Sequence, residues 1–168
     1  WGLAGATDAK CLDAQSGAEA AFHILSQGLA GLNLIHDVGY MDMSMACAVE
    51  QLVMSNDIIG MVKRLLSGFE VSDEHLALDV ISQVGPGGHY LQQRHTMDHF
   101  RTELWRANIF TRQPFETWQA EGAKDVEARV RDEITRLLDT HKPAPLPEKI
   151  TAELERIRNE GEKVLTRP

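Results

Sequence analysis

The first third of the chain combines short apolar runs with a segment whose apolar residues recur at helical spacing. After Asp13, a candidate N-cap, this spacing continues until Gly28 and Gly31, which predicts a helix over residues 14–29. Its apolar positions are Ala14, Ala18, Phe22, Leu25 and Leu29. Residues 2–7 and 32–35, on either side of this helix, are expected to form short strands.

A longer helix is predicted over residues 44–66. Its polar positions Glu50, Asp57 and Arg64 repeat every seven residues, and most of the remaining circumference is apolar. We therefore expect an apolar face that stays uncovered. The order strand, helix, strand, helix is typical of a parallel sheet, so the two strands should pair in parallel. Two strands cannot complete such a sheet, and we expect further strands upstream of Trp1.

The remaining sequence is irregular at first and then highly charged. A short helix is expected over residues 73–84, followed by a Gly-Pro turn at residues 85–88 and a polar, aromatic stretch to Phe115. Two outer helices with narrow apolar stripes follow, separated by a Pro-rich break; the stripes are Val126, Val130, Ile134 and Leu137, then Ile150, Leu154 and Ile157. We place a domain boundary between residues 1–112 and a helical cap of residues 113–168.

The composition of the chain argues against several classes of function. A formal net charge of −8 and basic residues that stand beside acidic ones argue against nucleic-acid binding. The sequence has neither a signal-peptide pattern nor an apolar run that spans a membrane, so a cytoplasmic protein is expected. Cys11 and Cys47 stand far apart in apolar surroundings, which suggests neither a disulfide framework nor a zinc site.

Two local patterns resemble parts of known binding motifs, one for a metal ion and one for a phosphate group, but neither motif is complete. His95 and His99 have the i, i+4 spacing of two metal ligands on a helix, but no Glu follows His95 as in the hydrolase motif. We therefore interpret both histidines as structural and expect no bound metal. The turn from Gly85 to His89 lacks the Lys-Ser/Thr ending of a phosphate-binding loop, and we interpret it as a rim loop.

Three sequence blocks resemble one protein family closely. They are residues 5–15 (GATDAKCLDAQ), 33–40 (NLIHDVGY) and 76–105 (LALDVISQVGPGGHYLQQRHTMDHFRTELW). Together they are similar to trimethylamine methyltransferases and to relatives that act on quaternary amines. The resemblance implies an α/β chain that forms the C-terminal part of a (β/α)8 TIM barrel, mostly helical here, with a C-terminal helical extension.

The resemblance also implies a reaction. A methyl group would pass from trimethylamine to the Co(I) corrinoid of a separate, cognate corrinoid protein, initiating methylamine-dependent methanogenesis or acetogenesis. The chain itself is expected to bind no cofactor directly, and the full-length enzyme is expected to be a homo-oligomer. Members that act on methylamines contain pyrrolysine, which does not occur among these 168 residues. We therefore expect an amber codon directly before Trp1; a gap in sequence assembly or a domain cut there is the alternative.

Barrel enzymes place their chemistry in the loops after the strands, which selects the candidate site residues. Asp8, His36 and Asp37 are the candidate catalytic residues, the acids attracting a substrate ammonium and the imidazole hydrogen-bonding it. The candidate substrate-binding residues are Trp1, Lys10 and Tyr40, and the rings of Trp1 and Tyr40 offer faces to a cation. Structural alternatives stay open: Asp8 as a helix cap, Tyr40 as a core ring, His36 as a structural hydrogen-bond partner and Lys10 paired with Asp13.

Two other functions compete with trimethylamine demethylation. The first is a pyrrolysine-free glycine betaine methyltransferase within the same family. The second is a non-catalytic helical binding module, in which the two strands would be misassigned and the apolar helix faces would bind a partner.

Overall fold

The structure, a computed structural model, describes residues 1–165. By their contacts the residues fall into two compact units, Trp1–Arg136 and Leu137–Pro168. The domain boundary expected after residue 112 stays a prediction.

Helix α1 spans Ala14–Leu29, the range that the sequence pattern predicts. Its start is fixed by a capping box: Asp13 Oδ1 accepts the backbone N–H of Ser16 at 3.0 Å, and Ser16 Oγ accepts the backbone N–H of Asp13 at 3.0 Å. The chain leaves the helix through Gly31, whose φ of 72° is readily adopted by glycine.

Two short strands flank this helix and pair in parallel. Strand β1 is Gly2–Leu3 and strand β2 is Ile35–His36, with Gly2 opposite Ile35 and Leu3 opposite His36. The parallel β–α–β unit is therefore confirmed, although both strands are shorter than expected and β2 ends one residue later. The binding-module hypothesis assumed that the two strands were misassigned. Their pairing contradicts that assumption. Residues 1–165 do not close a sheet into a barrel, and the barrel stays a prediction.

A β-hairpin occupies the beginning of the segment assigned to the second helix. Strands β3, Tyr40–Met41, and β4, Ala46–Cys47, pair antiparallel, and helix α2 then spans Val49–Leu66. The expected helix start at residue 44 was wrong. Three consecutive residues, Asp42, Met43 and Ser44, have φ between 50° and 66°, a left-handed conformation that excludes them from a right-handed helix.

The core lies between α1 and α2. Ala20 and Ile24 from α1 are buried with three residues of α2, Met54, Ile58 and Val62. The same cluster includes Ala4, Ile109 and Val130. Val130 has no exposed surface, and Val126 and Ile134 pack beside it. Most other residues of this helix are exposed or half-buried, so it is an outer helix that packs a narrow apolar stripe on the core.

Part of α2 turns apolar side chains away from this core. Val49 is 57% exposed and Leu52 is 47% exposed, while Val53 and Ile59 are only partly buried. The prediction that this helix keeps an uncovered apolar face is confirmed.

The middle of the chain is more helical than its sequence suggests. The expected helix over residues 73–84 is broken in two at Ala77, which has a φ of 48°. A further helix lies within the stretch interpreted as irregular. The elements are α3 (Asp73–Leu76), α4 (Leu78–Val84), α5 (Arg94–Glu103), α6 (Phe115–Ala120) and α7 (Val126–Thr140).

The second unit contains helix α8, Glu148–Leu165. Its apolar residues Ile150, Leu154 and Ile157 are each about half exposed, and Arg156 forms ion pairs of 2.7 Å with Glu153 and with Glu160. A helix with the length and apolarity needed to cross a membrane is absent from residues 1–165.

Candidate functional site

The loops that follow β1 and β2 run side by side along one edge of the parallel pair. Beyond the strands, the backbone N–H of Ala4 donates to the carbonyl of His36 at 2.9 Å, and that of Thr7 donates to the carbonyl of Tyr40 at 3.0 Å. Further along, the N–H of Asp42 donates to the carbonyl of Ala9 at 3.2 Å. Both loops lie at carboxyl ends of parallel strands, the edge where α/β proteins place their ligands.

Three of the sequence-derived candidates meet beside this edge: His36 and Asp37 at the end of β2, and Trp1, which precedes β1. The indole of Trp1 stacks on the imidazole of His36, with ring centroids 4.5 Å apart and planes inclined by 22°. His36 Nδ1 lies 2.6 Å from Asp37 Oδ1. Trp1 is 79% exposed, so the indole face opposite His36 is open. One imidazole therefore contacts an indole on its face and a carboxylate at its Nδ1.

The backbone holds Asp37 in an unusual conformation. Its φ of 73° is in the left-handed region, where a residue other than glycine is uncommon and often marks a functional site. The carboxylate is 26% exposed and therefore keeps access to solvent. When His36 donates Nδ1–H to Asp37, its Nε2 becomes an acceptor, and this nitrogen is buried with no hydrogen-bond partner among residues 1–165.

Tyr40 begins the hairpin next to this cluster. Its backbone N–H donates to the carbonyl of Asp37 at 3.3 Å, and its side chain is 40% exposed. The alternative interpretation of Tyr40 as a core ring was therefore wrong. The ring belongs to the surface of the site edge.

Asp8 and Lys10 lie on the other loop and have different partners. The backbone N–H of Asp8 donates to Glu19 Oε2 at 2.8 Å, whereas Lys10 Nζ lies 3.1 Å from Asp42 Oδ1. Both Asp8 and Lys10 are exposed. The cap of α1 is Asp13 instead of Asp8, and the partner of Lys10 is Asp42 instead of Asp13. Asp8 thus borders a separate cleft of 210 Å³ together with Thr7, Glu19 and His23.

Glu19 is a residue that the sequence analysis missed. Hydrogen bonds from the Thr7 hydroxyl, the Gln15 amide and the Asp8 backbone N–H hold the pKa of its carboxyl below the ordinary value of 4.5. A charged residue amid the small side chains of α1 was a visible signal, but its partners lie in the loop after β1. Glu19 therefore ties that loop to the helix.

Cys11 and Cys47 are both exposed, so the expectation that they lie in apolar surroundings was wrong. Cys11 Sγ donates to Asp13 Oδ2 at 3.6 Å. This hydrogen bond and the negative charge of Asp13 raise the pKa of the Cys11 thiol above its ordinary value of 9.0. A thiol in this environment is a poor nucleophile.

These features define the class of protein: an α/β chain with a β–α–β unit and a polar, aromatic cluster at the carboxyl edge of its parallel strands. The family model described as trimethylamine methyltransferase (MTTB) matches residues 1–161, and the chain belongs to this family.

Individual relatives agree with this assignment. The trimethylamine methyltransferase MttB of Desulfitobacterium hafniense (strain DSM 10664 / DCB-2) is 37% identical over 162 residues, covering 96% of this chain and 32% of the relative. A glycine betaine methyltransferase of D. hafniense (strain Y51) is 31% identical over 152 residues, covering 90% and 32%. The MttB of Methanosarcina thermophila is 33% identical over 152 residues, covering 89% and 31%. The chain thus spans about a third of the length of these relatives.

Proposed function

We propose that this chain contributes the amine-binding edge of an enzyme that transfers a methyl group from trimethylamine to the Co(I) corrinoid of a cognate corrinoid protein. The observation that carries the proposal is the stack of Trp1 on His36 beside the carboxylate of Asp37. Membership of the trimethylamine methyltransferase family supports the reaction class.

The chemistry requires a positively charged nitrogen. The corrinoid on the partner protein supplies the nucleophile, a methyl carbon changes its bond from nitrogen to cobalt, and the nitrogen keeps the electron pair of the broken bond. A protonated tertiary amine then leaves as a neutral secondary amine. The protein must therefore hold an ammonium and orient one methyl group for in-line attack.

Asp37 provides the negative charge that such a cation needs, and the indole of Trp1 holds His36 beside it. Asp37 Oδ1 is engaged by His36, which leaves the second carboxylate oxygen to attract the ammonium. The outer indole face of Trp1, turned away from His36, offers a separate cation–π contact, typically about 0.5 to 2 kcal/mol. His36 acts as a positioning residue because it contacts both groups.

Glycine betaine is the second candidate substrate, supported by the similar relative that carries this name. A betaine adds a carboxylate to the quaternary nitrogen and needs a cation nearby. Lys10 is the candidate: its Nζ lies at the loop edge, paired with Asp42 and 68% exposed. A substrate carboxylate could replace Asp42 as its partner.

The test uses the full-length enzyme with its Co(I) corrinoid protein, following the absorbance change on cobalt methylation. We expect Asp37→Asn to lower methyl transfer from trimethylamine about 10- to 100-fold, the range for losing a charged hydrogen bond of about 1.5 to 3 kcal/mol. Asp8→Asn should have a smaller effect, since Asp8 borders the other cleft.

Two comparisons make the result decisive. Lys10→Gln should reduce activity with glycine betaine more than with trimethylamine if betaine is the substrate. Val130→Ala, in the core, should lower thermal stability while leaving the rate of the folded enzyme unchanged. Wild-type turnover by a folded Asp37→Asn enzyme would exclude the proposed role of this acid.

A further inference from the structure

A second cluster of chemically active side chains lies where helix α3 meets helix α5. His75 on α3 and His99 and Glu103 on α5 each offer one potential ligand atom, and these atoms all lie within 4.8 Å of one another. His99 and Glu103 stand four residues apart and therefore share a helix face. The cluster uses none of the residues assigned to the amine site.

Hydrogen bonds from neighbouring residues orient His75 and Glu103 within the cluster. Ser72 Oγ lies 2.8 Å from His75 Nδ1, which leaves Nε2 directed at Glu103 Oε1, 3.9 Å away. Arg64 donates to the other carboxylate oxygen, Glu103 Oε2, at 2.7 Å. Hydrogen bonds of this kind, made by the atom that does not ligate, orient metal ligands in proteins.

His95 and His99, the pair that the sequence singles out, contact each other, but His95 has no ligand atom in the cluster. His95 Nε2 lies 2.8 Å from the backbone carbonyl of Glu74, so this ring tethers α5 to α3. The ring of His99 packs against His95, with centroids 4.4 Å apart, and also against His75, with centroids 5.3 Å apart. The i, i+4 pair of interest is therefore His99 with Glu103.

We propose that His75, His99 and Glu103 form a binding site for a zinc-type divalent transition-metal ion. Two imidazoles and one carboxylate are a donor set that Zn²⁺ accepts when its fourth position is open to water. Donors at zinc distances and tetrahedral angles lie about 3.3 Å apart, so side-chain rotations that close the present separations by roughly 1.5 Å complete the site.

Burial and charge fit such an ion. The His75 and His99 side chains are only 24% and 22% exposed, which limits competition from water, and Glu103 is 38% exposed. The carboxylate of Glu74 lies 3.1 Å from His99 Nε2 and provides a second negative charge beside the dication. This charge offsets the guanidinium of Arg64, and the ion would clamp α3 to α5.

The test measures Zn²⁺ binding by the full-length protein, purified without a histidine tag. Metal analysis should give one tightly bound Zn²⁺ per chain after removal of excess metal, and competition with a chromophoric chelator should give its affinity. We expect His99→Ala to weaken binding at least about 100-fold and Glu103→Gln at least about tenfold. His89→Ala changes an exposed histidine outside the cluster and should leave binding unchanged.

Circular dichroism checks that each variant is folded. Co²⁺ substitution gives a measure of metal binding that is independent of enzyme activity. Co²⁺ bound at the wild-type site should show the visible absorption of a four- or five-coordinate ion, and this band should be absent from His99→Ala. Glu103→Gln keeps the size of the side chain if His99→Ala fails to fold. The proposal is wrong if the wild-type protein binds no Zn²⁺ tightly, or if folded ligand variants bind it as well as His89→Ala does.

Discussion

The carboxylate of Asp57 accepts the backbone N–H of Ile109 at 2.9 Å across 52 positions of sequence. Asp57 is only 3% exposed, and it also accepts the N–H groups of Asn108 and Phe110 at 3.1 and 3.4 Å. One buried side chain thus fastens the loop before α6 to helix α2.

We expect Asp57→Asn to destabilise the protein by about 2 to 4 kcal/mol, because an amide replaces charge-assisted bonds and directs donors at backbone donors. Urea unfolding of the purified protein measures the change. Asp139→Asn, on the exposed part of α7, is the matched control and should stay within about 0.5 kcal/mol of wild type. Equal stability of the two variants would show that the bonds from Asp57 to residues 108–110 do not stabilise the fold.

Gly60 makes room for the ring of Trp105. A Cβ at position 60 would overlap the ring of Trp105, so Gly60→Ala should lower the free energy of unfolding by about 1 to 3 kcal/mol, despite the better helix propensity of alanine. Thermal or urea unfolding measures this change. Gly161→Ala, where a Cβ meets open space, should instead stabilise α8.

The double variant Gly60→Ala/Trp105→Leu separates steric overlap from backbone effects. If the ring causes the loss, the alanine should cost much less when Trp105 is already shortened. Additive effects of the two substitutions would argue against the steric explanation.

The thiol of Cys11 should react slowly with iodoacetamide near neutral pH, because Asp13 raises its pKa and keeps it protonated. Asp13→Asn removes the charge and retains a good helix cap, so alkylation of Cys11 should become faster while α1 persists. A Cys47→Ser background confines the measurement to Cys11. An unchanged rate would mean that Asp13 does not control this thiol.

The stabilising effect of Glu19 should depend on pH. Its pKa is lower in the folded protein, chiefly through the Thr7 hydroxyl, so its contribution is present above the ordinary pKa of 4.5 and is lost as pH falls through the folded pKa. The difference in melting temperature between wild type and Glu19→Gln should therefore be constant above about pH 6 and shrink below pH 4.5.

Glu70→Gln, an exposed loop substitution, serves as the reference for general effects of charge. The difference in melting temperature between wild type and Glu19→Gln could instead stay constant down to acid pH, or Glu70→Gln could show the same trend. Either result would show that Glu19 does not anchor the loop after β1.

Local sequence rules predicted some elements well. Helix α1 has both its cap, Asp13, and its end near Gly31 encoded within a few residues, and the structure gives the same boundaries. The parallel pairing of β1 with β2 was also predictable, because a strand, a helix and a second strand in this order favour a parallel crossover.

The candidate site was predictable only as a set of positions. Strand ends selected His36 and Asp37, and Trp1 was chosen as an aromatic ring for a cation. Nothing local shows that the indole stacks on the imidazole or that Asp37 is left-handed. Glu19 was missed because its partners lie 11 and 12 residues away in a loop. The sequence pairs His99 with His95, and their rings do pack together, but nothing local shows that His75 approaches His99 from another helix.

The sequence by itself determined the family and those elements whose signals are local: caps, apolar periodicity and glycine stops. The tertiary structure decided which polar residues are buried and which helices reach the core. Asp57 shares a seven-residue spacing with Glu50 and Arg64, which are only partly buried. Asp57 itself is buried because three backbone N–H groups from residues 108–110 satisfy its charge. Val130 belongs to a charged helix, yet it has no exposed surface because that helix packs on the core. In both cases the free energy depends on partners far along the chain, which only the folded chain brings into contact.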